Sequence, residues 1–296
     1  MSEANSSVQG EANSSVQGGA NSSVQGAANS SAPGAVMLAD ICVVACAEIF
    51  SGAGEIMASP MATTPMIGAR LARLTTEPDL LITDGEALIF AGTPAIGAKG
   101  DPGASEASGN AIEGWMPFRK VFDVVASGRR HVVMGANQID RFGNQNLSAF
   151  GPLQQPTRQM FGVRGAPGNT INHPTSYWVA RHSKRVFVDQ VDIVSGVGYD
   201  KVDPDNPAYR DLNIHRVVTN LGVFDFGGPG HTMRALSLHP GVTADEVAAN
   251  TSFEIHGLTG APTTRLPSED ELRIISEELD PKGLRGKEVP QPEAAK

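Results

Sequence analysis

The sequence of 296 residues predicts an α/β domain, and two observations carry that expectation. From Met37 onward helical and strand-like apolar segments alternate, and each of three polar, glycine-rich clusters follows an apolar strand. Ligand sites in α/β sheets gather just past strand ends, so the second observation also says where chemistry belongs. In chain order, residues 38–50 read as an apolar helix and 55–58 as a short strand. Ile67, Leu71 and Leu74 recur at helical spacing before the apolar run 80–82. Further strands are expected at 131–134, 186–194 and 216–226, separated by loops rich in Gly, Pro and Asn. Near the C-terminus, Thr243 with Glu246 and Ser268 with Glu271 have capping-box spacing, which marks two helix starts.

The flanks differ from this body. Residues 1–36 repeat Ala-Asn-Ser-Ser-Val-Gln-Gly from Ala4, Ala12 and Ala20, then degrade from Ala28. A polar, nearly uncharged segment has no apolar surface to offset the entropy of ordering it, so a low-complexity tail is expected there. The domain is expected to span 37–284, with a charged, Pro-containing and flexible tail at 285–296. Residues 93–111 form a long Gly, Pro and Ala loop of the kind used as lids or subunit contacts.

Composition narrows the function classes. A net charge of -9 disfavours nucleic acid and anionic membranes, both of which select Lys and Arg clusters. No run approaches the ~18 to 20 apolar residues of a membrane span, and no basic segment feeds an apolar core, so a cytoplasmic protein is expected. Cys42 and Cys46 lie four apart on one helical face, a spacing that suits buried thiols better than a framework disulfide. Seven scattered histidines give no metal cluster, and no metal is expected. Walker, G-x-G-x-x-G, His-Glu-x-x-His and G-x-S-x-G signatures are missing as well.

The three clusters remain. Thr83-Asp84-Gly85-Glu86 places two carboxylates after an apolar strand, where burial could tune them for acid, base or nucleophile work; a plain strand-ending turn is the other reading. Residues 135–146 are dense in side-chain amides, including Asn137, Gln138 and Asn144, which either hold loops or bind a polar ligand. In 163–169, Arg164 with Gly165 and Asn169 could receive a carboxylate or a developing oxyanion, or Arg164 could pair structurally with Asp84 or Glu86.

With LLITDGEA, MGANQIDRFGNQN, VRGAPGN and RVVTNLGVFDF followed by LHPGVTADEVAANTSF, residues 37–281 resemble the beta half of class I CoA-transferases. The resemblance implies the NagB/RpiA/CoA transferase-like fold, a mixed or parallel sheet flanked by helices. Those transferases attack acyl-CoA with a glutamate in Ser-Glu-Asn-Gly, where this chain has Thr83-Asp84-Gly85-Glu86. Asp84 is one methylene short, and near-attack geometry loses rate steeply for a displacement of about an ångström. The runs DICVVACAEIF, EIMASPM, GARLARLT, IEGWMPF, PTRQMFGVRG and VDPDNPA are similar to a branch of the family that cleaves a steroid ring.

That branch implies a hydrolase acting on a cyclohexenone carboxyl-CoA in steroid degradation, through carbon-carbon bond hydrolysis of a beta-keto thioester. It also implies an α2β2 heterotetramer whose alpha subunit carries the catalytic glutamate, and no cofactor, CoA being part of the substrate. On this chain Arg164 is then expected to hold the base or oxyanion, Gly165 and Asn169 to line the thioester, and Asn137, Gln138 and Asn144 to meet substrate polar groups. Asp84 and Glu86 fall on the substrate side. Two alternatives stay open: a conventional transferase using Asp84 or Glu86, and a non-catalytic subunit that shapes its partner.

Overall fold

Val132, Val133 and Met134 run unbroken along one strand, yet they enter two different cores. Strand side chains alternate faces, so Val133, Trp178, Val218 and Val223 pack on one side of a central sheet while Val132, Tyr177, Val217 and Phe224 pack on the other. Burial on both faces explains why these strands read as continuous apolar runs. The computed structural model describes residues 36–83, 88–97, 112–203 and 205–289. The expected tail at 1–36 lies outside them except for Val36, as does most of the loop 93–111.

The strands are β1 (Met57–Pro60), β2 (Leu81–Ile82), β3 (Leu88–Phe90), β4 (Ile112–Trp115), β5 (Arg130–Gly135), β6 (Gln138–Ile139), β7 (Gln145–Asn146), β8 (Ala149–Phe150), β9 (Arg158–Gln159), β10 (Thr175–Val179), β11 (Ile214–Thr219), β12 (Gly222–Asp225) and β13 (Arg234–Leu238). Seven form the main sheet in the order β13-β12-β11-β10-β5-β1-β2. It is parallel from β2 to β11 and antiparallel through β12 and β13. The helices are α1 (Leu38–Glu48), α2 (Thr63–Thr75), α3 (Lys120–Ala126), α4 (Ala166–Asn172), α5 (Ala244–Ala249), α6 (Glu269–Arg273) and α7 (Arg285–Glu288).

α1 is buried from Ala39 to Ala47, as a helix apolar all round must be. It crosses α2 at Gly68, where an added Cβ would lie 2.7 Å from that of Cys46; only glycine permits this approach. Both cysteines are free and buried, and burial raises both thiol pKa values. The capping expectations resolve unequally. Ser268 and Glu271 form the reciprocal box, whereas Thr243 accepts from the Glu246 amide with no return bond among the described residues.

Three expectations are corrected. Residues 186–194 form turns, with Phe187 in a single bridge to Ile139; the alternation is used to seat Phe187 against His182, with ring centroids 3.7 Å apart, while Asp189 and Asp192 turn out to Arg141 and Gln138. Residues 216–226 are a hairpin, because Thr219 Oγ1 accepts from the amides of Leu221 and Gly222 and reverses the chain between β11 and β12. The domain also continues past 284. Arg285 is buried and donates to Asp40 at 2.6 Å and to Asp280 at 3.0 Å, and Val289 is buried in the core beside α1. A carboxylate in α1 that needed a cation was the readable sign of this. The central strand β10 was not anticipated at all.

Candidate active site

The carboxyl ends of β1, β5 and β10 lie side by side, and the chain leaving them opens a cavity of about 920 Å³. Met61 and Ala62 follow β1, Met134 to Asn137 end β5, and Trp178 to Arg181 end β10. Val121, Phe122 and Val125 of α3 make an apolar wall, and the start of α4 brings Arg164, Gly165, Ala166 and Asn169. Adjacent parallel strands put successive loops around one crevice, which is why the site is here.

Arg130 heads β5 and is 9% exposed. Its Nε donates to Ser59 Oγ and its Nη1 to Asn169 Oδ1, both at 2.9 Å. No carboxylate pairs with it among the described residues, and burial pulls its pKa below the usual arginine value without discharging it. His173 Nε2 lies 3.2 Å from the same Asn169 oxygen, and burial lowers its pKa to about 4, so it stays neutral near pH 7.

Arg164 sits at the rim. Its φ of 47° is left-handed, a conformation costing a non-glycine residue about 1 to 2 kcal/mol, and such strain gathers at functional sites. The guanidinium lies 5.1 Å from the ring centre of Phe161, another lining residue, and no ion pair holds it among the described residues. The chain's end contributes Glu288, whose Oε2 accepts from the Thr64 amide and hydroxyl at 2.7 and 2.6 Å and whose Oε1 accepts from Trp178 Nε1 at 3.3 Å. It caps the amide-rich start of α2 and fixes the cavity edge.

Arg164, Gly165, Asn169 and Asn137 thus meet at one cavity, Asn169 through the oxygen that holds Arg130. Asn144 and Gln138 do not line it. Asn144 is fully buried, donating to Asp140 and Asp200 and accepting from the Gly198 amide. Gln138 accepts from Asn146 and Asp192 and donates to Asp192. Both brace loops, the other reading that so many amides allowed. Asp84 and Glu86 lie outside the described residues. Arg130, Glu288 and the aromatic wall were missed by sequence reasoning; the available signal was an arginine, followed by His131, heading an otherwise apolar buried strand.

A mixed sheet with its cavity at three parallel strand ends is the setting of the coenzyme A transferase family, and the chain belongs to that family, matching it over residues 49–250. Within it, the chain is 77% identical over 254 residues to the cholesterol ring-cleaving hydrolase IpdB subunit of Rhodococcus jostii, covering 86% of this chain and 96% of the relative. It is 66% identical over 251 residues to the IpdB subunit of Mycobacterium tuberculosis, covering 85% and 98%. The crystal structure of Rhodococcus jostii IpdAB superposes with a TM-score of 0.81 and 77% identity, over 86% of this chain and 99% of that one.

Proposed function

We propose that this chain is the beta-type subunit of a heteromeric hydrolase that opens the last steroid ring of a beta-keto CoA thioester by carbon-carbon bond hydrolysis. The observation that carries the reading is the 77% identity along 96% of the length of a cholesterol ring-cleaving hydrolase subunit. The cavity agrees in chemistry: apolar walls for a carbocycle, and arginines for the negative charge that develops.

In the reaction, a base takes a proton from water as its oxygen adds to the ring ketone. The bond from that carbon to the thioester's α-carbon then breaks, and its electron pair moves into the thioester as an enolate. Reprotonation at carbon gives a carboxylate and an intact CoA thioester on one open chain. The base is assigned to the alpha subunit of an α2β2 assembly. Arg164 steadies the base or the enolate oxygen, Gly165 shapes the turn beside the thioester, and Asn137 meets a substrate polar group. Asn169 acts through Arg130 rather than by touching the thioester. No cofactor is needed, and a cytoplasmic setting suits a CoA-bound substrate.

Co-purification with the alpha partner and a mass-resolved assay on a cyclohexenone carboxyl-CoA tests this. Gain of one water with CoA retained is expected. Transfer of CoA to an added acid, with a hydroxylamine-sensitive enzyme thioester, would overturn it.

A further inference from the structure

Ring opening by this route generates two oxyanions at different places. Water addition puts negative charge on the ring carbonyl oxygen, and bond cleavage moves the electron pair to the thioester oxygen. One cation at the cavity rim cannot serve both, since preorganised donors act only at the atom they face. Besides Arg164 the cavity is lined by the exposed Arg181 and by Arg130, a buried cation that no sequence motif marked. Arg130 lies nine-tenths buried in the lining, held on two of its nitrogens by Ser59 from β1 and Asn169 from α4, while its Nη2 has no partner among the described residues. A buried charge without a counter-ion is unfavourable unless something compensates it, and a guanidinium anchored from two elements is aimed rather than adaptable.

CoA is long and polar and suits the open side of the cavity, while the apolar side chains of Val121, Val125 and Met134 in the lining suit the carbocycle. Arg130, the buried arginine, is then set toward the ring carbonyl, and the exposed Arg164 toward the thioester. Resting on the hydrolase reading above, we infer that Arg130 is a catalytic residue: it receives the oxyanion formed at the ring carbonyl and then the product carboxylate that this oxygen becomes. Ser59 and Asn169 are positioning residues, since each holds one nitrogen and leaves the remaining edge for the substrate.

The test uses the chain assembled with its partner, comparing wild type, Arg130→Gln and Ser59→Ala. Wild type in ¹⁸O-water should place one heavy oxygen in the new carboxylate; if it does not, the hydrolase reading itself fails. Given that label, Arg130→Gln should lower kcat by about 10²- to 10³-fold with KM for the thioester little changed. Glutarate, a free dicarboxylate standing in for the product acid, should inhibit wild type and lose its grip on the Gln variant. Ser59→Ala, which keeps the charge but frees one nitrogen, should lower kcat less and keep glutarate inhibition. Should Arg130→Gln fail to assemble, Ser59→Ala decides: unchanged kcat there overturns the inference. So does an assembled Gln variant with wild-type kcat, or one on which glutarate still acts.

Discussion

At the scale of single residues, Arg130 and Arg164, two of the three arginines that line the cavity among the described residues, are opposites. Arg130 is fixed by side chains from two elements, whereas Arg164 is set by its own left-handed backbone and a ring beneath it. Arg164→Ala should lower turnover of the assembled enzyme by about 10²- to 10³-fold with the melting temperature unchanged, because the guanidinium has no ion pair to lose among the described residues. Arg164→Lys should rescue little, since a point charge neither stacks on Phe161 nor presents a planar fork. Steady-state kinetics beside a melting curve checks both; near-normal turnover of Arg164→Ala removes it from the site. What the sequence revealed here follows from chemistry carried on one loop. Arg164, Gly165 and Asn169 are close in sequence and so were readable together, while Arg130 and Ser59 meet only because β1 and β5 pair. Asn144 was misleading for a physical reason: an amide that satisfies two carboxylates and a backbone N–H is indistinguishable in sequence from one waiting for a ligand.

At the scale of elements, α1, α2 and the core of β5 were legible because their period is long and unbroken. Errors fell where polar side chains, rather than apolar periodicity, decide the backbone, as Thr219 does at the β11 to β12 turn. The largest was at the C-terminus. Composition there reads as a frayed tail, but Arg285 ties α7 to Asp40 of α1 and to Asp280, and all three side chains are at most 7% exposed. Removing the cation leaves two buried carboxylates, a loss of about 3 to 5 kcal/mol. Arg285→Met should therefore lower the melting temperature by on the order of 10 °C. Adding Asp40→Asn and Asp280→Asn should recover part of that, since neutral amides no longer demand a counter-ion. Calorimetry of the single and triple variants measures the pair; a single variant melting like wild type would return the boundary to residue 284.

Across the whole molecule, five histidines are held neutral by burial, with pKa values near 3 for His131 and His182 and near 4 for His173, His215 and His239. The unfolded chain binds protons at these sites below about pH 6.5 while the folded chain does not, so stability is complete above that pH and drains away toward pH 4. Each fully buried histidine contributes a slope of about 1.4 kcal/mol per pH unit, and a melting temperature flat from pH 7 to 5 would contradict the burial of His131 and His182.

The surface carries the complementary argument. Trp115, Phe118, Phe122 and Phe161 are 64 to 75% exposed, and the last two also line the cavity. An aromatic cavity wall left in water gives neither the dry environment that strengthens the arginines nor a base, so the isolated chain is expected to be inactive. Only two tryptophans are present, and Trp178 is already buried at 4% exposure. This chain's own contribution to a shift in tryptophan emission on adding the alpha partner is therefore that of Trp115, read as the difference between wild type and Trp115→Phe. Titration with the partner should move that difference emission to shorter wavelength in step with the rise of activity, and Trp115→Phe should leave assembly intact. Assembly without a shift would place the partner on another face and leave the cavity wall open.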